Sequence, residues 1–453
     1  MRYKGLAMNR YERVAGIIEK DLAGCRLDGY EISFGSSRNL SIEVKEQKID
    51  TFKCSAPAGV SIRVLKSGGM GFSYSTSLDD AALSRMVQNA VIGAENQTTD
   101  PANCFPLPQE YPIISGLFDD DLSSVDESEK IQLAMDLERL TLGADPRLRR
   151  VRKALYGESD YAVWIRNSLG VAGGYRGTSV SCSVTAVAEE GDDSQMGWDF
   201  GFSSFFSGIK VETIAANAAA KALGLLGARK IPTMRCPVIL DNHVASEILE
   251  VLASSFLAEN VQKGKSMLAG RLGEKLFAEI LKIRDDGTLQ GGMSTSPFDA
   301  EGVAHRNTLL VEGGRLKAFL YDSYTAGKDG VASTGNAVRG GIKSPPHSGV
   351  SNYFIENGSI PLGEMVRGID RGVLLTEVMG MHTANSISGD FSVGAAGFFI
   401  EKGVIAYPIK GIAIAGNILD LFRDVEVVGD DIRFFGSVGS PSLKIAALDM
   451  SGS

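Results

Sequence analysis

Gly59-Val60-Ser61-Ile62-Arg63-Val64-Leu65 sets Val60, Ile62 and Val64 at every second position, the period of a strand with one buried face. Gly68-Gly69 then turns the chain into a second strand-like run, Phe72–Ser75. Directly behind it, Ser77-Leu78-Asp79-Asp80 offers side-chain oxygens to the free N–H groups that begin a helix, which the pattern carries to about Glu95. A hairpin followed by a capped helix predicts an antiparallel sheet covered by helices, the α+β class.

The same pattern extends outward in both directions. Upstream, Tyr30–Phe34 and Leu40–Lys45 read as strands, and Tyr11, Val14, Ile17, Ile18 and Leu22 fall at helical spacing within 8–24. Downstream, Pro101, Pro106, Pro108, Pro112 and Asp119-Asp120-Asp121 mark 96–128 as a surface connection. A helix at 127–143 follows, with Ile131, Met135, Leu137 and Leu140 available for packing. Two strands flank the Asn167–Gly170 turn, further β structure runs to Ala188, and the alanine-rich segment 211–226 is helical by propensity. Pro232 ends this half, so two domains are expected: 1–230, α+β, and 231–453, mostly antiparallel β. The second opens with a strand at Pro237–Leu240 and a helix from Val244 to Leu257. Hairpins are then expected at Leu309–Val311 with Leu316–Leu320 and at Phe398–Glu401 with Ile405–Tyr407.

Composition narrows the function classes. Fifty-three glycines in 453 residues, about 12% against an average of about 7%, with no triplet period, fit many turns and bulged strands. A net charge of −9 lacks the positive field that nonspecific nucleic-acid binding needs. The tightest basic cluster, Arg147, Arg149, Arg150, Arg152 and Lys153, reads as the polar face of one strand. Cys25, Cys54, Cys104, Cys182 and Cys236 show no CxxC spacing and predict reduced, mostly buried thiols in a cytoplasmic protein. No apolar h-region follows Met1-Arg2-Tyr3-Lys4, so no signal peptide is expected. Phe391–Ile400 is about half the length a membrane span needs, so no membrane partner is expected either.

Chemistry-bearing motifs are incomplete. His243, His305, His347 and His382 form no HExxH or HxxxH, so a metal site would need residues distant in sequence. Gly264-Lys265-Ser266 has Glu259 where a phosphate loop needs its first glycine, and Gly68-Gly69-Met70-Gly71 lies between strands rather than opening a helix. Asp390-Phe391-Ser392-Val393-Gly394 puts aspartate at the first position of a GxSxG elbow, and His347-Ser348 reads as an exposed loop beside Pro345-Pro346. Asp285-Asp286 and Asp430-Asp431 border turns, where aspartate ordinarily caps backbone. No complete active site can be assembled from these residues.

The C-terminal third carries a resemblance. Gly380-Met381-His382-Thr383-Ala384-Asn385 and Ser388-Gly389-Asp390-Phe391-Ser392-Val393-Gly394-Ala395-Ala396-Gly397 resemble a signature of the TldD/PmbA family. Ile400-Glu401, Tyr407-Pro408, Ala415-Gly416-Asn417, Gly429-Asp430-Asp431 and Gly439-Ser440-Pro441-Ser442-Leu443 continue it, and Ile49-Asp50 with Gly59–Gly71 extends it to the N-terminal region. The resemblance implies a zinc-dependent peptidase built from a TldD-type and a PmbA-type (TldE) subunit, acting on small or unfolded polypeptides. In the TldD type, an HExxxH helix and a C-terminal cysteine hold the metal. Here that motif falls on Leu249-Glu250-Val251-Leu252-Ala253-Ser254, and Arg433-Phe434-Phe435-Gly436-Ser437 contains no cysteine.

The resemblance therefore implies a PmbA-type subunit with no catalytic or metal-binding residues of its own and no cofactor. Zinc is expected in a TldD-type partner that forms a heterodimer with it; a homodimer of the isolated chain stays open. His382, Asn385, Asp390 and Glu250 are the candidates for peptide binding. The block from His382 to Asp390 could equally serve strand packing, and Glu250 could be a solvated helix carboxylate. Two rival readings stay open: a self-sufficient peptidase using His243, His305, His382 and nearby carboxylates, and a regulator bound to gyrase or DNA.

Overall fold

The computed structural model describes residues 2–452. Helix α1 (Arg2–Leu22) buries Tyr11, Val14, Ile18 and Leu22 on its inner face. Strand β1 (Gly29–Lys45) is one long element where two strands are predicted, because the stretch between them keeps pairing without a break with Leu148–Asn167. Strand β2 (Lys48–Ser55) has no sequence signal, since it is solvated along almost its whole length and shows no apolar alternation. The expected hairpin is β3 (Ala58–Lys66) with β4 (Gly69–Ser75). Helix α2 (Asp80–Glu95) begins at Asp79, whose carboxylate accepts from the Ala82 N–H. A Cβ on Gly71 would run into the Ala90 carbonyl oxygen, so glycine lets α2 lie directly on β4.

Helix α3 (Glu127–Gly143), strands β5 (Leu148–Asn167), β6 (Ala172–Glu190) and β7 (Asp193–Ser203) and helix α4 (Val211–Gly224) complete the first half. Its seven strands form one antiparallel sheet in the order β4-β3-β1-β5-β6-β7, with β2 hung on β1. Two apolar cores lie along this sheet. One joins α1 and α2 to β1 and β3; the other joins α3 and α4 to β1, β5 and β6.

The second half starts with β8 (Met234–Leu240) and helix α5 (Asn242–Phe256). β8 lies parallel to Arg371–Met379 and antiparallel to Leu443–Ser451, in a six-stranded sheet with Asp390–Glu401, Val404–Asn417 and Val425–Val428. An extra pairing of Val404–Asn417 with Leu443–Ser451 closes it into a small mixed barrel. A second six-stranded sheet includes Ile283–Asp286, Tyr353–Ile355, Val438–Ser440 and Arg433–Phe435. One large core, including Val244, Ile248, Leu252, Phe256, Tyr353 and Ile414, unites α5 with both sheets.

Several local expectations change. Only Cys182 and Cys236 are buried, while Cys54 sits exposed on β2; all five thiols are free. His347-Ser348 pairs with Ala337-Val338 instead of looping free, and Ser348 is buried. Strand pairing beyond Arg315-Leu316 does not reach Leu320. Asp285 is no turn cap: its carboxylate is buried and accepts from Ser351 N–H, Ser351 Oγ and Asn336 Nδ2, all at 2.7 Å. No helix among the described residues is long and apolar enough to cross a membrane.

Candidate functional site

Helix α5 is the element around which the candidate site is built. Asp241 caps it, its Oδ1 accepting from the Val244 N–H at 2.8 Å. Burial pushes the Asp241 carboxyl up to about 7, against the pull of that amide and of Lys221. Val244, Ile248, Leu249, Leu252 and Phe256 face inward, which leaves His243, Glu247, Glu250 and Ser254 as an open stripe at i, i+4, i+7 and i+11. The stripe looks toward the junction of the two halves. His243 Nε2 lies 3.3 Å from Glu247 Oε1, and the imidazole sits between Trp198 of β7 and Phe435, with ring centroids 6.0 and 4.5 Å away.

Charge states along this stripe are displaced in opposite directions. Burial, followed by the Glu250 and Glu377 carboxylates, raises Glu247 to about 7. Burial raises Glu377, on Arg371–Met379, as well. His243 drops to about 4 because burial, Lys221 and Arg433 all disfavour the imidazolium, so it is a neutral ring at pH 7. Beside it, Asp199 is fully buried and accepts from Asn217 Nδ2, Lys221 Nζ and both terminal nitrogens of Arg433.

Two cavities open between the halves, one sharing Asp199 and Arg433 with the surroundings of His243 and the other sharing Glu377 with those of Glu247. One of about 620 Å³ is walled by β7 and α4 on one side and by Leu289–Met293 and Arg433-Phe434 on the other, with Phe200, Lys210 and Asn217 in its lining. Another, of about 870 Å³, lies between β5 and β7 and the C-terminal half, lined by Arg149, Arg152, Met196, Glu377 and Met379 among others.

Of the sequence-derived candidates, Glu250 stands on the α5 stripe, while His382, Asn385 and Asp390 lie in a separate loop. His382 is exposed on the single turn Met381–Thr383. Asn385 Oδ1 accepts from the Ile387 and Ser388 N–H groups at 2.9 and 3.1 Å, closing the loop that follows. Asp390 accepts from Ser388 Oγ at 2.7 Å and Asn417 Nδ2 at 3.0 Å, and these two hydrogen bonds, Asn417 first, hold its carboxyl below the usual range. The Asn385 N–H donates to the Asp390 carbonyl, so these two residues are brought together in one loop. Glu250 is exposed on α5, and none of the four lines either cavity. Sequence reasoning named His243 only as a ligand of the rival peptidase reading and missed Glu247 as its neighbour, although their i, i+4 spacing was a legible signal. It also missed Trp198, Phe435 and Glu377, which come from distant segments and carried none.

At the positions matching the metal motif, Leu249 is 0% exposed inside the core and Ser254 Oγ donates to the Val251 carbonyl at 3.3 Å. His305 is half-buried in another part of the second half, with Nδ1 3.2 Å from the Gly287 carbonyl oxygen. Among the described residues, no three His, Cys, Asp or Glu side chains converge as a metal-binding group.

Comparison with known proteins covers nearly the whole chain. Family models of the PmbA/TldA metallopeptidase match in three consecutive parts: domain 1 at residues 30–94, the central domain at 120–226 and the C-terminal domain at 233–452. Metalloprotease PmbA of Escherichia coli O157:H7 is 30% identical over 436 residues, covering 94% of each chain. A metalloprotease of Methanothermobacter thermautotrophicus is 30% identical over 417 residues, 90% of this chain and 89% of its own. A crystal structure from Thermotoga maritima, described as a modulator of a DNA gyrase, superimposes with a TM-score of 0.90 at 29% identity, covering 97% of this chain and all of that one. TldE from Thermococcus kodakarensis shares the fold, with a TM-score of 0.89 at 24% identity over 98% of this chain and 100% of its own.

Proposed function

Because the chain belongs to the PmbA/TldD metallopeptidase family, we propose that it is the PmbA-type (TldE) subunit of a two-chain peptidase acting on small or unfolded polypeptides. In this reading it forms a heterodimer with a TldD-type partner, completes the substrate chamber and positions an extended peptide. The partner carries the zinc, which supplies a polarised carbonyl and an activated water. The carrying observation is the chemistry at the three positions where a TldD-type chain places its ligands. Leu249 has no lone pair and lies in the core, Ser254 presents a hydroxyl engaged with its own helix, and the segment Arg433–Ser437 offers no thiol. These residues do not fit a zinc ion, and no step is assigned to one on this chain.

The chain's own contribution is geometric. His243 of the α5 stripe meets Trp198 of β7 and Phe435 where the two halves join, and a cavity of about 620 Å³ beside Asp199 and Arg433 opens there. Five free thiols support work in a reducing compartment, the cytoplasm. Mixing the chain with its TldD-type partner and assaying peptide cleavage tests the reading. Cleavage by the mixture but by neither chain alone is expected; stoichiometric zinc and peptide cleavage by this chain alone would sink it. The description of the Thermotoga maritima relative favours a second reading, association with gyrase or DNA, which the net charge of −9 opposes. A salt-sensitive shift of duplex DNA at physiological ionic strength would support that second reading.

A further inference from the structure

Two β-bulges in β5 put arginines where a regular strand would not. In the ladder with β6, Leu148 pairs with Ala188 and Arg150 with Val187, while Val151 pairs with Ala186 and Lys153 with Thr185. Arg149 and Arg152 are therefore the extra residues of two bulges within six positions. A regular strand sends neighbouring side chains to opposite faces, whereas a bulge re-aims the extra one. As a result Arg149, Arg150 and Arg152 all line the 870 Å³ cavity, together with Lys45 from the end of β1.

Three of these four cations are not spent on the protein itself. Arg150 meets Glu189 at 3.5 Å and Lys410 meets Asp193 at 2.6 Å, but among the described residues Arg149, Arg152 and Lys45 have no carboxylate within 4.0 Å. Glu138 also lines the cavity, yet its carboxylate is taken: it accepts from the Glu46 and Gln47 N–H groups at 2.8 and 2.7 Å and from Gln47 Nε2 at 2.9 Å. Glu377 and Met379 stand on the opposite wall and Met196 on the β7 side; the two methionines are 49% and 53% exposed.

We propose that this cavity is a specificity subsite for an acidic segment of an extended polypeptide, with Arg149 and Arg152 receiving its carboxylates and Met196 and Met379 its apolar neighbours. Guanidinium groups bind carboxylates through two parallel hydrogen bonds, and methionine adapts to varied apolar side chains. A peptide fits better than a nucleic acid, because its acidic side chains can be set singly at Arg149 and Arg152 with apolar neighbours at Met196 and Met379, whereas a continuous run of phosphates would also have to pass Glu46 and Glu377. The inference rests on the peptidase-subunit reading and adds a substrate class to it.

The test compares two fluorescent peptides of equal length in the complex with the TldD-type partner. One carries an Asp/Glu segment away from the scissile bond, and the other carries Asn/Gln in its place. The expected result is a preference of about five- to tenfold in kcat/KM for the acidic peptide. Arg149→Gln with Arg152→Gln should abolish the preference by raising KM for the acidic peptide at least about fivefold more than for the amide peptide, and Arg149→Lys with Arg152→Lys should keep part of it. Equal cleavage of both peptides by the wild-type complex, or equal loss on both in the variant, overturns the subsite. Cleavage of neither peptide counts against the peptidase-subunit reading alone. Fluorescence anisotropy of the same peptides on the isolated chain then decides the subsite, with arginine-dependent binding of the acidic peptide expected and no difference between peptides overturning it. Tighter, arginine-dependent binding of single-stranded DNA in that assay also overturns the proposal.

Discussion

Arg433 holds the buried carboxylate of Asp199 with two parallel contacts, Nη1 to Oδ1 and Nη2 to Oδ2, both 2.9 Å, and so ties the last third of the chain to strand β7. The same guanidinium donates to the Phe200 carbonyl at 2.8 Å and lies over the Phe435 ring. It thereby fixes the aromatic wall against which His243 rests.

The two partners should respond unequally to substitution. Arg433→Met leaves Asp199 with Asn217 and Lys221, so denaturant unfolding should show a loss of about 1–2 kcal/mol. Asp199→Asn leaves two cations without their anion, and about 3 kcal/mol should be lost. Equal losses would mean that Asn217 and Lys221 do not share the carboxylate.

A second ion network binds the halves together. Arg63 of β3 meets Glu31 at 2.5 Å and Glu301 at 2.8 Å, while Arg339 reaches Glu31 at 2.5 Å, and all four side chains are nearly fully buried. Burial alone would raise the Glu31 carboxyl, but Arg63 and Arg339 together hold it below its ordinary value of 4.5. The unfolded chain therefore binds the proton more tightly, so this stabilisation is present above about pH 4.5 and is lost as pH falls through the lower folded value. Glu31→Gln should cost about 3–5 kcal/mol at pH 7 and flatten the acid limb of a stability–pH profile. An unchanged acid limb would count against this assignment.

Glu247 should act with the opposite sign. Its carboxyl is raised from 4.5 to about 7, so the folded state binds the proton more tightly and stability falls as pH rises between those values. Glu247→Gln should remove that fall and stabilise the chain at pH 8 by roughly 1–2 kcal/mol after allowance for solvent screening. Thermal unfolding from pH 5 to 8 reads the difference, and parallel curves for both proteins would contradict it.

Installing the missing ligands should not create a zinc site. Leu249 is 0% exposed, so Leu249→His with Ser254→His puts a polar ring into the core and should cost about 2–4 kcal/mol. Equilibrium dialysis should detect no stoichiometric zinc in the double variant. Tight one-to-one binding would show that the core opens at this helix and that the ligand positions alone decide metal loading.

Much of the fold was legible because its signals are local. Alternation at Val60, Ile62 and Val64, the Asp79 cap and the helical spacing of α5 each depend on residues within one or two turns of each other. Strand β2 escaped because almost none of it is buried, so its pairing with β1 leaves no apolar period to read. The candidate site was legible only in part. His243, Glu247 and Glu250 share a face by spacing alone, whereas Trp198, Glu377 and Phe435 reach that face through sheet register.

The sequence by itself determined the α+β class, the run of most of its elements and the resemblance carried by the C-terminal third. Tertiary structure alone decided which charges remain available. Arg147, Arg149, Arg150, Arg152 and Lys153 read as one polar strand face, yet Arg147, Arg150 and Lys153 meet carboxylates, and two bulges aim Arg149 and Arg152 into a cavity. The physical reason is that a bulge is defined by the partner strand: whether a residue is extra depends on what β6 sets opposite it, and no local pattern in β5 encodes that.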